Sequence, residues 1–191
     1  MDYLVYKFSA LEGEPVDMQL LPAAEQAIAA TKGGQYALVR TLLRRELARR
    51  TGLAPQEIQF TYSAHGKPEL QAQPFNLSHS ADCLCIAFHH SSVGVDVEHM
   101  RPRRFREIAA RFMHPEQLAA FEARGCPQEE FYSCWCAAEA LLKHAGDTVW
   151  NARQYPFRYH PGRIECLFEQ APLLELFTPF PGYMGAVAYT I

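Results

Sequence analysis

The residues of this chain best suited to chemistry are Asp96, Glu98, Glu139 and Lys143. The first two lie in Gly94-Val-Asp-Val-Glu98, which reads as a strand. A period of two puts Gly94, Asp96 and Glu98 on one face and Val93, Val95 and Val97 on the other. The other two lie in Trp135-Cys-Ala-Ala-Glu-Ala-Leu-Leu-Lys143, which reads as a helix with Trp135, Glu139 and Lys143 along one side. Carboxylates converging from a strand and a helix would make a hard-cation site of the Mg2+ kind. A lysine one turn beyond the third carboxylate would hold an anion beside that cation, a combination suited to phosphate chemistry. Spacing alone leaves plainer readings open. Asp96 and Glu98 would also suit a wet strand edge, and Glu139 with Lys143 an ordinary i,i+4 pair contributing about 0.2–0.5 kcal/mol. Gly94 on the carboxylate face favours a site, because a glycine in a strand admits a ligand or another backbone at close range.

Several elements must position these groups. Residues 3–8 are a predicted strand. Tyr36, Val39, Leu43 and Leu47, with Leu38 and Leu42 beside them, form an apolar helical stripe. Arg40, Arg44, Arg45, Arg49 and Arg50 lie on or near its polar flank and read mostly as a solvated face, with Arg40 and Arg44 half structural, and Gly52 ends it. Alternation predicts a strand over Ile58–Tyr62, and His65-Gly-Lys-Pro68 is turn chemistry. Cys83–Phe88 reads as a buried strand that turns back through 89–92 into Val93–Glu98 as a hairpin. Helices are predicted over 103–112, from Pro115 to just before Gly125, and over 127–145, closed by Gly146. The tail from about 157 to 191 is strand-like. Strands and helices fall in segregated runs, the order of an α+β fold.

Composition narrows the class. The 191 residues fit one large domain or two small packed halves. With 49% hydrophobic and 20% charged residues, the chain can fill a core. A net charge of -3 gives no global basic field, so no nucleic-acid partner is expected. Neither a signal peptide nor a membrane-spanning run is legible, and a cytoplasmic protein is expected. Six cysteines without a C-x-x-C read as reduced, mostly buried thiols rather than a zinc site. Ser78 and His79 are adjacent and cannot face each other as nucleophile and base, and no G-x-S-x-G is present, so a serine hydrolase is not expected.

Four segments together resemble the 4'-phosphopantetheinyl transferases of the Sfp type. Gly66-Lys-Pro68 is similar to that family's G-K-P turn and Phe75-Asn-Leu-Ser-His-Ser80 to its F-N-x-S-H-S segment. Gly94–Glu98 matches G-[IV]-D-[VI]-E, and Trp135–Lys143 matches W-x-x-K-E-A-x-x-K except that Ala138 stands where the family has lysine. The resemblance anchors roughly residues 32–143. It implies a pseudo-twofold pair of similar α+β halves, here 1–91 and 92–191, with coenzyme A in the cleft between them. The N-terminal half would contact the nucleotide end, and the C-terminal half would carry the metal site and motif helix.

The implied reaction moves the phosphopantetheine arm of coenzyme A onto a serine of an apo carrier protein and releases adenosine 3',5'-bisphosphate. By resemblance, Asp96, Glu98 and Glu139 would hold Mg2+, and Glu139 would also take the serine proton. Lys143 would contact the coenzyme A phosphates. Lys67, Pro68, Ser78, His79, Lys32 and Arg40 would bind the cofactor, Ser78 near the 3'-phosphate. Trp135 is expected to pack and orient its helix. The absent lysine at Ala138 removes one positive charge, and losing such a donor costs about 10^2 to 10^3 in rate. Three outcomes follow: the lysine is dispensable, a basic group such as Arg101, Arg103 or Arg104 substitutes, or the protein binds coenzyme A and transfers poorly. With Arg106 these arginines also form a local basic patch, expected to dock an acidic carrier protein. The competing functions are a coenzyme A or carrier-binding homologue with weakened catalysis, and a metal-dependent phosphoesterase. A monomer is expected.

Overall fold

The computed structural model describes residues 1–12, 16–63 and 66–191. His65 of the expected turn lies outside them. The first half contains β1 (Asp2–Lys7), α1 (Ala23–Lys32), α2 (Gly34–Thr51), β2 (Thr61–Tyr62), β3 (Pro68–Glu69), β4 (Phe75–Ser80) and β5 (Cys83–Phe88). The second contains β6 (Val93–His99), α3 (Phe105–Phe112), α4 (Pro115–Ala123), α5 (Gln128–Ala145), β7 (Phe157–His160), β8 (Arg163–Cys166), β9 (Leu173–Phe177) and β10 (Tyr183–Tyr189). The order repeats: one strand, helices, a two-stranded hairpin, then two strands. Both three-stranded antiparallel sheets follow it, as β1-β5-β4 and β6-β10-β9. Each places its first strand beside its last and its last beside its penultimate. This is the expected α+β fold with its internal twofold repeat.

Each helix end has its cause in the sequence. Gly52 and Gly146 adopt left-handed backbone at φ 75° and 72°, and their N–H groups close the last turns onto Ala48 and Leu142. Pro115 occupies the first turn of α4, where a missing N–H costs nothing.

The hydrophobic runs explain the layering. Val39, Leu43 and Leu47 of α2 pack on Phe75, Leu84, Ile86 and Phe88. The other face of β5, Cys83, Cys85 and Ala87, packs on Val93, Val95, Val97 and Val187. The strand β5 is therefore buried on both faces, which is why its six residues show no polar alternation. All six cysteines are free, and burial pushes the Cys83 thiol up to about 11. Behind the second sheet, α5 packs between it and α3, α4 and the β7–β8 hairpin, around Phe112, Phe121, Phe131 and Leu141. At the seam opposite the cleft, Tyr3 of β1 stacks on Phe177 of β9, with ring centroids 4.5 Å apart.

Two expectations are corrected, two elements are added, and the arginine flank is resolved. Strands β5 and β6 do not form a hairpin: β1 and β4 already occupy both edges of β5, so the chain crosses through 89–92 into the second sheet. The strand expected over Ile58–Tyr62 is only Thr61–Tyr62, because Ile58 turns into the first core after a 3-10 turn. The segment Phe75–Ser80 is a full strand, and α1 precedes the arginine helix. The arginine flank is not all solvated: Arg44 is 2% exposed. It donates to Glu25 at 2.8 Å and to the carbonyls of Pro55 and Ile58 at 2.6 and 2.8 Å, tying α2 to α1 and the following loop.

Candidate active site

Gly94 sets the geometry. A Cβ on it would lie 2.0 Å from the Ala140 carbonyl oxygen and 2.4 Å from the His144 nitrogen. The close neighbour foreseen at this position is thus the backbone of α5, which lies directly across β6. That approach brings Glu139 and Lys143 over Asp96 and Glu98, on the face opposite the three buried valines. The four side chains, with Trp135, Ser78 and His79, line a cleft of about 390 Å3 between the halves.

Asp96 is 5% exposed, and its two oxygens differ. Oδ1 accepts from Lys143 Nζ at 2.7 Å and from Ser78 Oγ at 2.8 Å. Oδ2 is buried with no hydrogen-bond partner. Lys143 also donates to the Val95 carbonyl at 3.1 Å and to Ser78 Oγ at 3.3 Å. Its partner is therefore Asp96 on the facing strand β6 rather than Glu139 on its own helix. Burial pulls the Lys143 ammonium down, but the charge and hydrogen bond of Asp96, with Glu139, outweigh burial and raise it. The Glu139 carboxyl is raised, first by burial, then by Asp96 and Glu98, with Lys143 opposing.

The halves meet along a ladder of side chains. Alternate residues of β4 face the unpaired edge of β6. Asn76 Oδ1 accepts the Val95 N–H at 2.8 Å, Ser78 Oγ the Val97 N–H at 3.3 Å, and Ser80 Oγ the His99 N–H at 3.1 Å. These bonds satisfy amides that a neighbouring strand would otherwise take. Sequence reasoning missed Asn76 and Ser80; with Ser78 they place hydrogen-bonding side chains at every second position, 76, 78 and 80, which was the available signal. Ser78, expected to face the nucleotide, has its hydroxyl engaged in this seam.

Lys67 is also at the seam. Its ammonium donates to the Lys143 carbonyl at 2.9 Å and the Val93 carbonyl at 3.4 Å, so it caps the end of α5. Burial lowers its pKa, Glu69 opposes this, and nearby Lys143 adds to the lowering. With Pro68, Lys67 lines a hollow of about 290 Å3 that also borders Lys143. Beyond Leu77, a further pocket of about 380 Å3 is lined by Lys32, Tyr36, Arg40, Pro68 and His79. There the Lys32 ammonium and the Arg40 guanidinium lie 5.5 and 5.3 Å from the Tyr36 ring centroid. Arg40 Nη1 is buried without a hydrogen bond, 3.8 Å from Glu25 Oε1.

Among the described residues, no group of three His, Cys, Asp or Glu side chains stands assembled as a metal site. The expected trio shares one cleft, but Lys143 and Ser78 hold Asp96 while Ser80 and Arg103 hold Glu98, at 2.9 and 3.8 Å to Oε2. The donors nevertheless suit a hard cation: all are carboxylate oxygens, Asp96 Oδ2 is an orphaned buried acceptor, and Glu139 is raised by burial first and by the Asp96 and Glu98 charges second. Ala138 is buried in the core of the second half. Of the three arginines proposed to replace the missing lysine, Arg103 reaches one of the carboxylates, Glu98. Arg101 donates to His99, and Arg104 pairs with Glu107. Trp135 packs edge-on against Phe112 and parallel to Phe131, as its packing role requires.

Three carboxylates and Lys143, all from the second half, thus share one cleft beside the central seam of a twofold-repeated α+β chain. The model of the 4'-phosphopantetheinyl transferase superfamily matches residues 92–171. The 4'-phosphopantetheinyl transferase HetI of Nostoc sp. is 34% identical over 164 residues, covering 78% of this chain and 68% of that protein. A 4'-phosphopantetheinyl transferase of Bacillus subtilis is 34% identical over 110 residues, 55% of this chain and 49% of its own length. A putative 4'-phosphopantetheinyl transferase of Synechocystis sp. is 31% identical over 156 residues, 71% and 63% of the two chains. The chain thus spans about half of the Bacillus relative and under two thirds of the Synechocystis one. It belongs to the 4'-phosphopantetheinyl transferase family. Among the described residues, no helix is long and apolar enough to cross a membrane.

Proposed function

We propose that this protein transfers the 4'-phosphopantetheine arm of coenzyme A to a serine of an apo carrier protein, releasing adenosine 3',5'-bisphosphate. The observation that carries this reading is the pairing of Lys143 with one oxygen of Asp96 while the other stays buried and unpartnered. A cation and a phosphate chain can be received side by side there. Mg2+ held by Asp96, Glu98 and Glu139 would neutralise charge on the pyrophosphate. The chain's own groups do the rest. The pocket of Lys32, Tyr36, Arg40 and His79 offers the nucleotide end an aromatic face and cationic groups. The N-terminal half thereby binds the leaving group, and the C-terminal half holds the reacting phosphate.

Glu139 is the base. Its carboxylate lines the cleft where a carrier serine would enter, within reach of that hydroxyl proton directly or through a water. As the serine oxygen bonds to the phosphorus, its proton passes to Glu139, and the pyrophosphate bond breaks toward the bisphosphate. Lys143 and Arg103 counter the charge that develops, the latter standing in for the lysine absent at Ala138. The test is incubation with coenzyme A, MgCl2 and several apo carrier proteins, read by mass spectrometry. Addition of the phosphopantetheine mass is expected. Tight coenzyme A binding by calorimetry with no mass gain on any carrier would overturn transfer in favour of a binding role.

A further inference from the structure

The ladder between β4 and β6 does more than join the halves. Two of its hydroxyls repeat one engagement. Ser78 Oγ accepts the Val97 N–H and donates to Asp96 Oδ1, while Ser80 Oγ accepts the His99 N–H and donates to Glu98 Oε2. Each serine thus takes one β6 amide and the carboxylate of the residue just before it. Register produces this: residues two apart on β4 meet residues two apart on β6, and a strand repeats its faces every two residues. A hydroxyl has a single hydrogen. Once the amide occupies a lone pair, the hydroxyl orientation is set, and that hydrogen falls on the carboxylate.

The geometry points to Ser80 as a positioning residue that holds Glu98 for cation binding. This rests on the phosphoryl-transfer reading above. Ser80 does not line the cleft, so it acts through Glu98. Both contacts of Glu98 among the described residues fall on Oε2, from Ser80 at 2.9 Å and the half-exposed Arg103 at 3.8 Å. Oε1 is left as the oxygen offered to a cation. Asp96 is held twice, by Ser78 and Lys143, whereas Glu98 has one short tether. Its flexible side chain loses its orientation when that tether goes, so Ser80 matters more than its distance from the cleft suggests.

The test uses Mn2+ as the cation probe, with binding read by electron paramagnetic resonance on the full chain. Ser80→Val and Ser80→Thr have the same shape and differ only in the hydroxyl. The Mn2+ Kd is expected to rise about tenfold or more in Ser80→Val and to stay within about twofold of wild type in Ser80→Thr, the size typical of partners that orient a ligand. In a Glu98→Gln background, Ser80→Val should add no further loss. Equal Mn2+ affinity in folded Ser80→Val and wild type overturns the proposal, as does a further loss in the Glu98→Gln background. If Ser80→Val does not fold, Ser80→Cys, which weakens the donor, replaces it under the same criteria. Wild-type protein that binds no Mn2+ overturns the phosphoryl-transfer reading instead. The Ser80 tether is then judged by hydrogen exchange of the His99 amide, which must accelerate in Ser80→Val and not in Ser80→Thr.

Discussion

Gly94 has no room for a methyl group. The contact is with helix backbone, which cannot swing aside as a side-chain tip would. Gly94→Ala is expected to cost about 1–3 kcal/mol through overpacking, read as a lower urea midpoint with an unchanged m-value. Glu139 represents the opposite balance, a group whose charged form costs stability. Its folded-state pKa is raised, so the native state holds that proton to higher pH than the unfolded chain does. The penalty is absent below the ordinary glutamate range, grows as pH rises through it, and levels off above the raised value. Glu139→Gln should therefore raise the denaturation midpoint at pH 7 in cation-free buffer, with the gain vanishing toward pH 4. The same variant should lose about 10^2 to 10^4 in transfer rate, the usual contribution of a general base.

At the scale of elements, the β4–β6 seam is where the design concentrates. Asn76→Ala would strand the Val95 N–H in a buried position and is expected to cost about 1–3 kcal/mol. Because the seam positions Asp96 and Glu98, carrier modification should fall as well. Asn76→Ala with unchanged stability would show that the ladder does not hold the halves together. The elements of the second half were legible because single residues punctuate them: Pro115, Pro127 and Gly146 mark helix ends, and Gly94 announces a close approach. Carboxylates on one strand face and a lysine at helical spacing were equally readable. The seam was not. Its bonds run between residues nearly twenty positions apart, and nothing local distinguishes a serine that binds a ligand from one that caps an edge amide. Arg44 was opaque for the same reason: its guanidinium is compensated by Glu25, which lies on a different helix, and a helical stripe cannot report that.

For the whole molecule, the net charge of -3 conceals local contrast. Arg101, Arg103, Arg104 and Arg106 cluster at the start of α3, beside the carboxylate cleft. Arg104 is 84% exposed along its side chain and does not touch the cleft groups, which makes it the cleaner probe of docking than Arg103. Arg104→Glu is expected to raise KM for an acidic carrier several-fold at low salt, with kcat preserved and the difference shrinking as salt rises. An unchanged KM at every ionic strength would remove α3 from the docking surface. The internal repeat carries a consequence of its own. Its two halves meet along β4 and β6 and, at the symmetry-related place, through the Tyr3–Phe177 ring contact between β1 and β9. In a symmetric pair of identical subunits, any substitution is made at both seams at once. Fusion into one chain lifts that constraint. One seam bears Asn76, Ser78 and Ser80 and faces the carboxylates, while its counterpart is closed by Tyr3 stacked on Phe177. On the transfer function proposed above, a single polypeptide would thereby give chemistry to one copy of an interface and adhesion to the other, a division of labour that a true homodimer of this unit could not adopt.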